Sequence, residues 1–137
     1  MTSPDAAPVT ARIRVSAAVI VDADGRLLLV RKAGTTAFMQ PGGKPEPGET
    51  PAETLVRELT EELGLKVAAS AVEPLGEFRA SAANEPGFVV EADVFRVDIG
   101  GQTPVASAEI AELRWVSRSD AATVEVAPLA AEYFLPA

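Results

Sequence analysis

Three carboxylates, Glu58, Glu61 and Glu62, stand at i, i+3 and i+4 in one short stretch, and a bare glycine pair, Gly42–Gly43, precedes them. On a helix that spacing gathers all three in one sector. The apolar residues Ala52, Leu55, Val56, Leu59 and Leu63 fill the sector beside it. Like charges one turn apart repel by a few tenths of a kcal/mol, about 0.2–0.5 per pair. They also lie in the last turns, where the helix dipole disfavours negative charge. A sequence selected for helix stability alone would carry lysine there. A divalent cation turns the same arrangement into a site. Magnesium takes oxygen ligands, keeps several waters and completes its shell with substrate phosphates. Glycine backbone without side chains lets an anion or a metal approach closely. Carboxylates, metal and phosphate together point to metal-assisted attack of water on phosphorus.

The rest of the composition narrows the chemistry. The 137-residue chain has no histidine and no cysteine, which removes the commonest general base, the commonest zinc ligand and all thiolate chemistry. A net charge of −8 argues against a partner that is polymeric nucleic acid, because neutralising many phosphates needs a basic face. No apolar run reaches membrane-spanning length, and residues 1–11 lack the basic start and apolar stretch of a secretion signal. A cytoplasmic protein with no membrane partner is the expectation. A small phosphorylated substrate needs cations, and Arg31, Lys32 and Lys44 are candidates by position. Phe38, in the loop before the glycines, is the candidate for stacking on a base, whereas Trp115 reads as core. An isolated ExxEE run is more often a solvated helix face than a site. The joint pattern is what carries the functional reading.

Several elements must position these residues. Residues 1–11 read as a flexible lead-in and residues 12–137 as one domain. Arg12 to Val21 and Arg26 to Arg31 read as two strands of a hairpin around the turn Asp22–Gly25. Lys32 to Gln40 reads as a loop. Six of the eight residues from Pro41 to Gly48 are Pro or Gly, which predicts that no regular structure runs through them. The carboxylate helix follows, with Thr50 as N-cap, Pro51 at its first position, Glu53 completing a capping box and Gly64 as its stop. Leu75 to Ala83 and Phe88 to Ile99 alternate as strands around Asn84-Glu85-Pro86-Gly87. Leu113 to Ser117 reads as a further strand, and Pro128 to Leu135 as a closing helix. This order implies an α/β (α+β) domain, a mixed sheet with helices on its faces.

The stretch from Gly43 to Leu65 resembles the Nudix box, G-x5-E-x7-R-E-U-x-E-E-x-G-U, where U is aliphatic. Gly43, Glu49, Arg57, Glu58, Leu59, Glu61, Glu62, Gly64 and Leu65 fill every fixed position. A chance match of the seven Gly, Glu and Arg positions at a given start is on the order of 10⁻⁸ at average composition, so the pattern is specific. The resemblance implies a Nudix hydrolase with the family's α/β/α sandwich. It implies Mg²⁺, or Mn²⁺ in its place, held by Glu58, Glu61, Glu62 and the Gly42 carbonyl, with Glu58 or a neighbour as general base. Glu49 and Arg57 resemble the ion pair that orients the carboxylates. In MutT-type relatives the base comes from a distant loop, which makes Glu109 the candidate here ahead of Glu112. The implied reaction is cleavage of a diphosphate linkage in a nucleoside diphosphate joined to another group, such as a nucleoside triphosphate. An ADP-ribose or nucleotide-sugar pyrophosphatase and a non-catalytic nucleotide-binding module are the alternatives. Relatives are often homodimers. Gln40 departs from the apolar residue that many relatives carry before Pro-Gly-Gly, which leaves the particular substrate open.

Overall fold

The structure, a computed structural model, describes residues 11–83 and 85–135. In chain order its elements are β1 (Ala11–Val19), β2 (Leu27–Lys32), β3 (Gly42–Gly43), α1 (Pro51–Leu63), β4 (Glu73–Ser81), β5 (Phe88–Arg96), β6 (Ile110–Val116) and α2 (Pro128–Tyr133). The lead-in expected over residues 1–11 lies outside the described residues except for Ala11, which opens β1. Asn84 of the expected turn also lies outside them. Among the described residues no helix is long and apolar enough to cross a membrane.

The strands form two sheets. One is mixed, in the order β3-β1-β5-β4, with β1 parallel to β5 and the other pairs antiparallel. The second is the antiparallel pair β2-β6. The hairpin expected from β1 and β2 is therefore corrected. Its turn forms as read: the Asp22 N–H donates to the Arg26 carbonyl at 2.9 Å, and Gly25 takes a φ of 80°. The Leu28 N–H still donates to the Ile20 carbonyl at 2.9 Å, but the two strands then part into different sheets. The reason lies in the edges of β1: β5 pairs with it along all of Ala11 to Val19, and Gly42–Gly43 takes its other edge at Ser16 and Ala17. β2 pairs with β6 instead.

The alternation of side chains divides these strands between two cores. Ala18, Ile20, Leu28 and Val30 join Leu55, Leu59 and Leu63 of α1 on one side. Ala17, Val19, Leu27 and Leu29 join Leu129 and Ala130 of α2 on the other. Helix, sheet and helix are thus three layers, as expected from the sequence.

Helix α1 has the ends its sequence specifies. The Thr50 side chain accepts from the Glu53 N–H, the Glu53 carboxylate accepts from the Thr50 N–H, and Gly64 closes the helix at φ 67°. Residue Thr54 is buried as well, a position outside the apolar sector. The stretch expected to carry no regular structure needs a further correction. Gly42–Gly43 pairs with β1 through the registers Ser16↔Gly43 and Ala17↔Gly42. Gly42 has a φ of 149°, and a Cβ there would collide with the backbone of Ser16 and Ala17. Only glycine admits the chain this close, so the feature that argued against a strand is what allows this one.

Candidate active site

Strand β3 lies between β1 and α1, and the carboxylates of α1 reach its bare backbone. Glu62 is 2% exposed, and its Oε1 accepts a hydrogen bond from the Gly42 N–H at 3.1 Å. Burial pushes its carboxyl up to about 8, against that hydrogen bond; Glu58 and Glu109 push the same way, and Lys32 opposes them. Glu58 lies against Gly43 so closely that a Cβ on Gly43 would sit 2.7 Å from Glu58 Oε1 and 2.8 Å from Oε2. Burial also raises the Glu58 carboxyl, with Arg57 opposing. The third carboxylate, Glu61, stands at the rim with 53% of its side chain exposed.

Arg57 organises the surroundings. Its Nε donates to Glu49 Oε2 at 2.7 Å and its Nη2 to Glu49 Oε1 at 3.0 Å, a two-pronged contact. Its Nη1 donates to Glu58 Oε1 at 2.7 Å and to Glu61 Oε2 at 3.3 Å. Nη2 also reaches the Lys44 carbonyl at 3.0 Å, so one guanidinium ties the glycine loop to the helix. The Glu49 carboxylate accepts further bonds from the Glu46 N–H at 2.8 Å and the Thr54 hydroxyl at 3.0 Å. Arg57 and these donors hold it down at about 2.

Glu109 and Lys32 face this cleft as a pair, Nζ to Oε1 3.4 Å, with Glu109 59% exposed. Lys44 lines the same cleft. Glu112 is turned to Arg114 at 2.8 Å and Arg31 at 3.4 Å, and the Arg114 contact is the main cause of its lowered carboxyl. Arg31 is committed to Glu112 and to the Thr35 carbonyl at 2.9 Å, away from the carboxylates. Phe38 is corrected outright. It is 4% exposed, packed in the core beside α2, with the Arg114 guanidinium 5.3 Å from its ring centre. No open face remains for a base to stack on. Trp115 is partly buried against the α1 core.

Three contributors escaped the sequence reading, and a fourth, Gln40, stood out there by type alone. Glu46 pairs with Arg57 Nε at 2.9 Å, and only its place in the glycine loop three residues before Glu49 could have signalled it. Thr54 bonds Glu49, as above. The buried Ser16 hydroxyl donates to the Pro51 carbonyl at 2.8 Å, fixing β1 to the start of α1. Gln40 is 7% exposed, and its Nε2 donates to the Ala18 carbonyl at 3.0 Å.

The oxygen-only donor set suits a hard cation. Two carboxylates that burial drives towards neutrality, with glycine backbone in front of them, fit such an ion. The cage is not closed: among the described residues no three acidic side chains converge into a ready-made cation site. Two inner carboxylates and one at the rim replace the three-fold cluster expected from the helical spacing. Arg57 holds one of the inner pair.

The family profile described as NUDIX domain matches residues 11–136. The chain belongs to that family. It is similar to a candidate 8-oxo-dGTP diphosphatase of Bacillus subtilis (strain 168), 34% identical over 100 residues that cover 72% of this chain and 62% of that one. A CTP pyrophosphohydrolase of Escherichia coli (strain K12) is 34% identical over 119 residues, 81% of each chain. Among solved structures, a MutT protein from Methanosarcina mazei Go1 superimposes with a TM-score of 0.69 at 26% identity, covering 90% of this chain and 89% of the other. The chain thus spans less than two thirds of the Bacillus relative, and the match to an RNA pyrophosphohydrolase of Halorhodospira halophila (strain DSM 244 / SL1) covers only 30% of that protein.

Proposed function

We propose that the protein is a Mg²⁺-dependent pyrophosphohydrolase, with Mn²⁺ as a substitute, that acts on free nucleotides in the cytoplasm. Its substrate is a nucleoside diphosphate joined to a further group, a nucleoside triphosphate being the simplest case. One observation carries this reading: Glu62, buried, and Glu58, partly buried, lie against the side-chain-free backbone of Gly42–Gly43. Similarity to a CTP pyrophosphohydrolase and to a candidate 8-oxo-dGTP diphosphatase supports the nucleotide class.

Glu58, Glu61, Glu62 and the Gly42 carbonyl would hold the ion. When bound, it neutralises phosphate charge and makes a water molecule more acidic. The chain's own groups do the rest. Arg57, fixed by Glu49, sets where the Glu58 carboxylate stands. Lys44 and Lys32 supply cations for phosphate oxygens at the cleft. Glu109, exposed and facing the cleft, accepts the proton of the attacking water, with Glu58 as the other group placed to do so. Water adds to phosphorus, the bridging oxygen leaves with its fragment, and the nucleoside monophosphate is released beside it.

The test is product release from a panel of nucleotides with Mg²⁺ or Mn²⁺. Wild-type protein should release pyrophosphate or a phosphorylated fragment. Glu58→Gln should lower kcat by roughly 10²–10⁴-fold with the fold unchanged by circular dichroism. Nucleotide binding without turnover across the panel would instead make this a binding module.

A further inference from the structure

We infer that Ala108 is a positioning residue for the proposed reaction: its left-handed backbone shapes the Ser107–Ile110 turn that brings Glu109 to the carboxylate cleft. The inference rests on the role proposed above for Glu109 and says what holds that carboxylate in place.

Ala108 has a φ of 54° and is the one residue other than glycine with a positive φ among the described residues. Every other such position there, from Gly25 to Gly100, carries glycine. In this region an alanine brings its Cβ close to the following carbonyl oxygen, a conformation that persists only where the surroundings impose it. Here they do. The Ile110 N–H donates to the Ser107 carbonyl at 3.0 Å, closing a turn with Ala108 and Glu109 at its two central positions. The Ser107 N–H donates to the Glu62 carbonyl at 2.9 Å and the Val105 N–H to the Leu63 carbonyl at 3.0 Å. The approach to the turn is thus fastened to the open carbonyl end of α1, the helix that carries the other carboxylates. On the far side of the turn the Ala33 N–H donates to the Glu109 carbonyl at 2.8 Å.

The start of β6 is re-aimed as well. Arg31 pairs with Glu112 but Lys32 pairs with Ile110, which leaves Ala111 as an extra residue, a bulge. The bulge puts Ile110 on the same side as Leu113 and Trp115, in the core against α1, where plain alternation would have put it on the other side. Turn and bulge together bring Glu109 to the cleft that it lines with Glu58, Lys32 and Gly43, its Oε1 3.4 Å from Lys32 Nζ. With 59% of its side chain exposed, Glu109 has little packing of its own to fix it, and the backbone beneath it does so. A negative φ at Ala108 turns the chain the other way, and the bonds on the two sides of the turn could not both be kept. Ala108 is itself exposed, so substitution there tests backbone preference more than packing.

Four substitutions make that test. Gly and Asn accept a left-handed φ, whereas the β-branched Val and Thr resist it. The substrate is whichever nucleotide of the panel above wild type cleaves fastest, beginning with ATP, GTP, CTP and UTP. The kcat of Ala108→Gly and Ala108→Asn should exceed that of Ala108→Val and Ala108→Thr by roughly 10-fold or more, with KM moving less than kcat. In a Glu109→Gln background the same ratio should shrink to within about 2-fold, because the turn then has no proton acceptor to place. Equal kcat in all four variants, with wild type active, would overturn the inference and leave the hydrolase reading standing. So would a ratio that persists in the Glu109→Gln background. A lower melting temperature in Ala108→Val and Ala108→Thr with no loss of kcat would also overturn it, since the turn would then serve stability alone. Failure of wild type to cleave any nucleotide of the panel would defeat the hydrolase reading and the inference with it. Should one β-branched variant fail to fold, the other decides the ratio.

Discussion

The carboxylate of Glu58 occupies the space that a side chain on Gly43 would need, with Oε1 2.7 Å from where a Cβ would stand. Gly42, one residue earlier, is bare for a different reason: its missing side chain faces the backbone of Ser16 and Ala17, and its φ of 149° strains any other residue. The two neighbours should therefore respond differently to the same change. Gly43→Ala meets the movable end of a glutamate, so stability should change by less than about 1 kcal/mol while activity collapses. Gly42→Ala meets main chain and should lose roughly 2–4 kcal/mol. Urea unfolding alongside turnover separates the two. Equal destabilisation by both variants would contradict the assignment of Glu58 to the Gly43 surface.

Arg57 is expected to act through shape more than through charge. Lysine at that position keeps the charge but cannot reach Glu49 with two prongs while also holding Glu58 and the Lys44 carbonyl. Arg57→Lys should lower activity by roughly 10- to 100-fold, the usual size for removing a group that orients metal-site residues. A titration with Mn²⁺ read by thermal shift should weaken in parallel. Near-normal turnover in Arg57→Lys would show that the fork is dispensable.

The same clamp gives a pH signature. Arg57 and the Glu46 N–H hold Glu49 at about 2 in the folded protein, below the 4.5 of a free glutamate. A lowered folded value means that the ionised clamp stabilises the fold above pH 4.5. That contribution fades as pH falls from 4.5 towards 2. Thermal unfolding of wild type and Glu49→Gln, each between pH 7 and pH 2, should show a gap that is constant down to about pH 5 and then narrows. A gap that widens on acidification would reverse the sign and refute the clamp.

Legibility in the sequence followed the range of the interaction. The capping box of Thr50 and Glu53, the stop at Gly64 and the placement of Glu49 near Arg57 are set within one or two turns of chain, and all appear in the structure. The partners of β1 are set by residues 88–96, far along the chain, and the adjacent turn at Asp22–Gly25 pointed to β2 instead. The apolar runs Ala17–Ile20 and Leu27–Val30 did signal the layers, since unbroken burial implies one on each face, but not which strand pairs with which. Phe38 was misread because a loop aromatic looks exposed until Glu125 and Ala127 are seen to pair with its backbone. Gln40 stood out from relatives by type, yet its hydrogen bond to the Ala18 carbonyl is a property of the fold alone. Glu46 left no periodic trace at all.

The pairing of Gly42 with Ala17 also sets an order of events. β1 must be seated beside β5 before anything firm stands behind the glycines, and that seating joins segments more than half the chain apart. Such distant closures are slow, because the loop must close before its contacts form. A partly folded chain can already wind α1, with its caps and its row of acids, yet has no wall for them to press against. Under the proposed function, hydrolytic competence should then arrive only with the finished sheet.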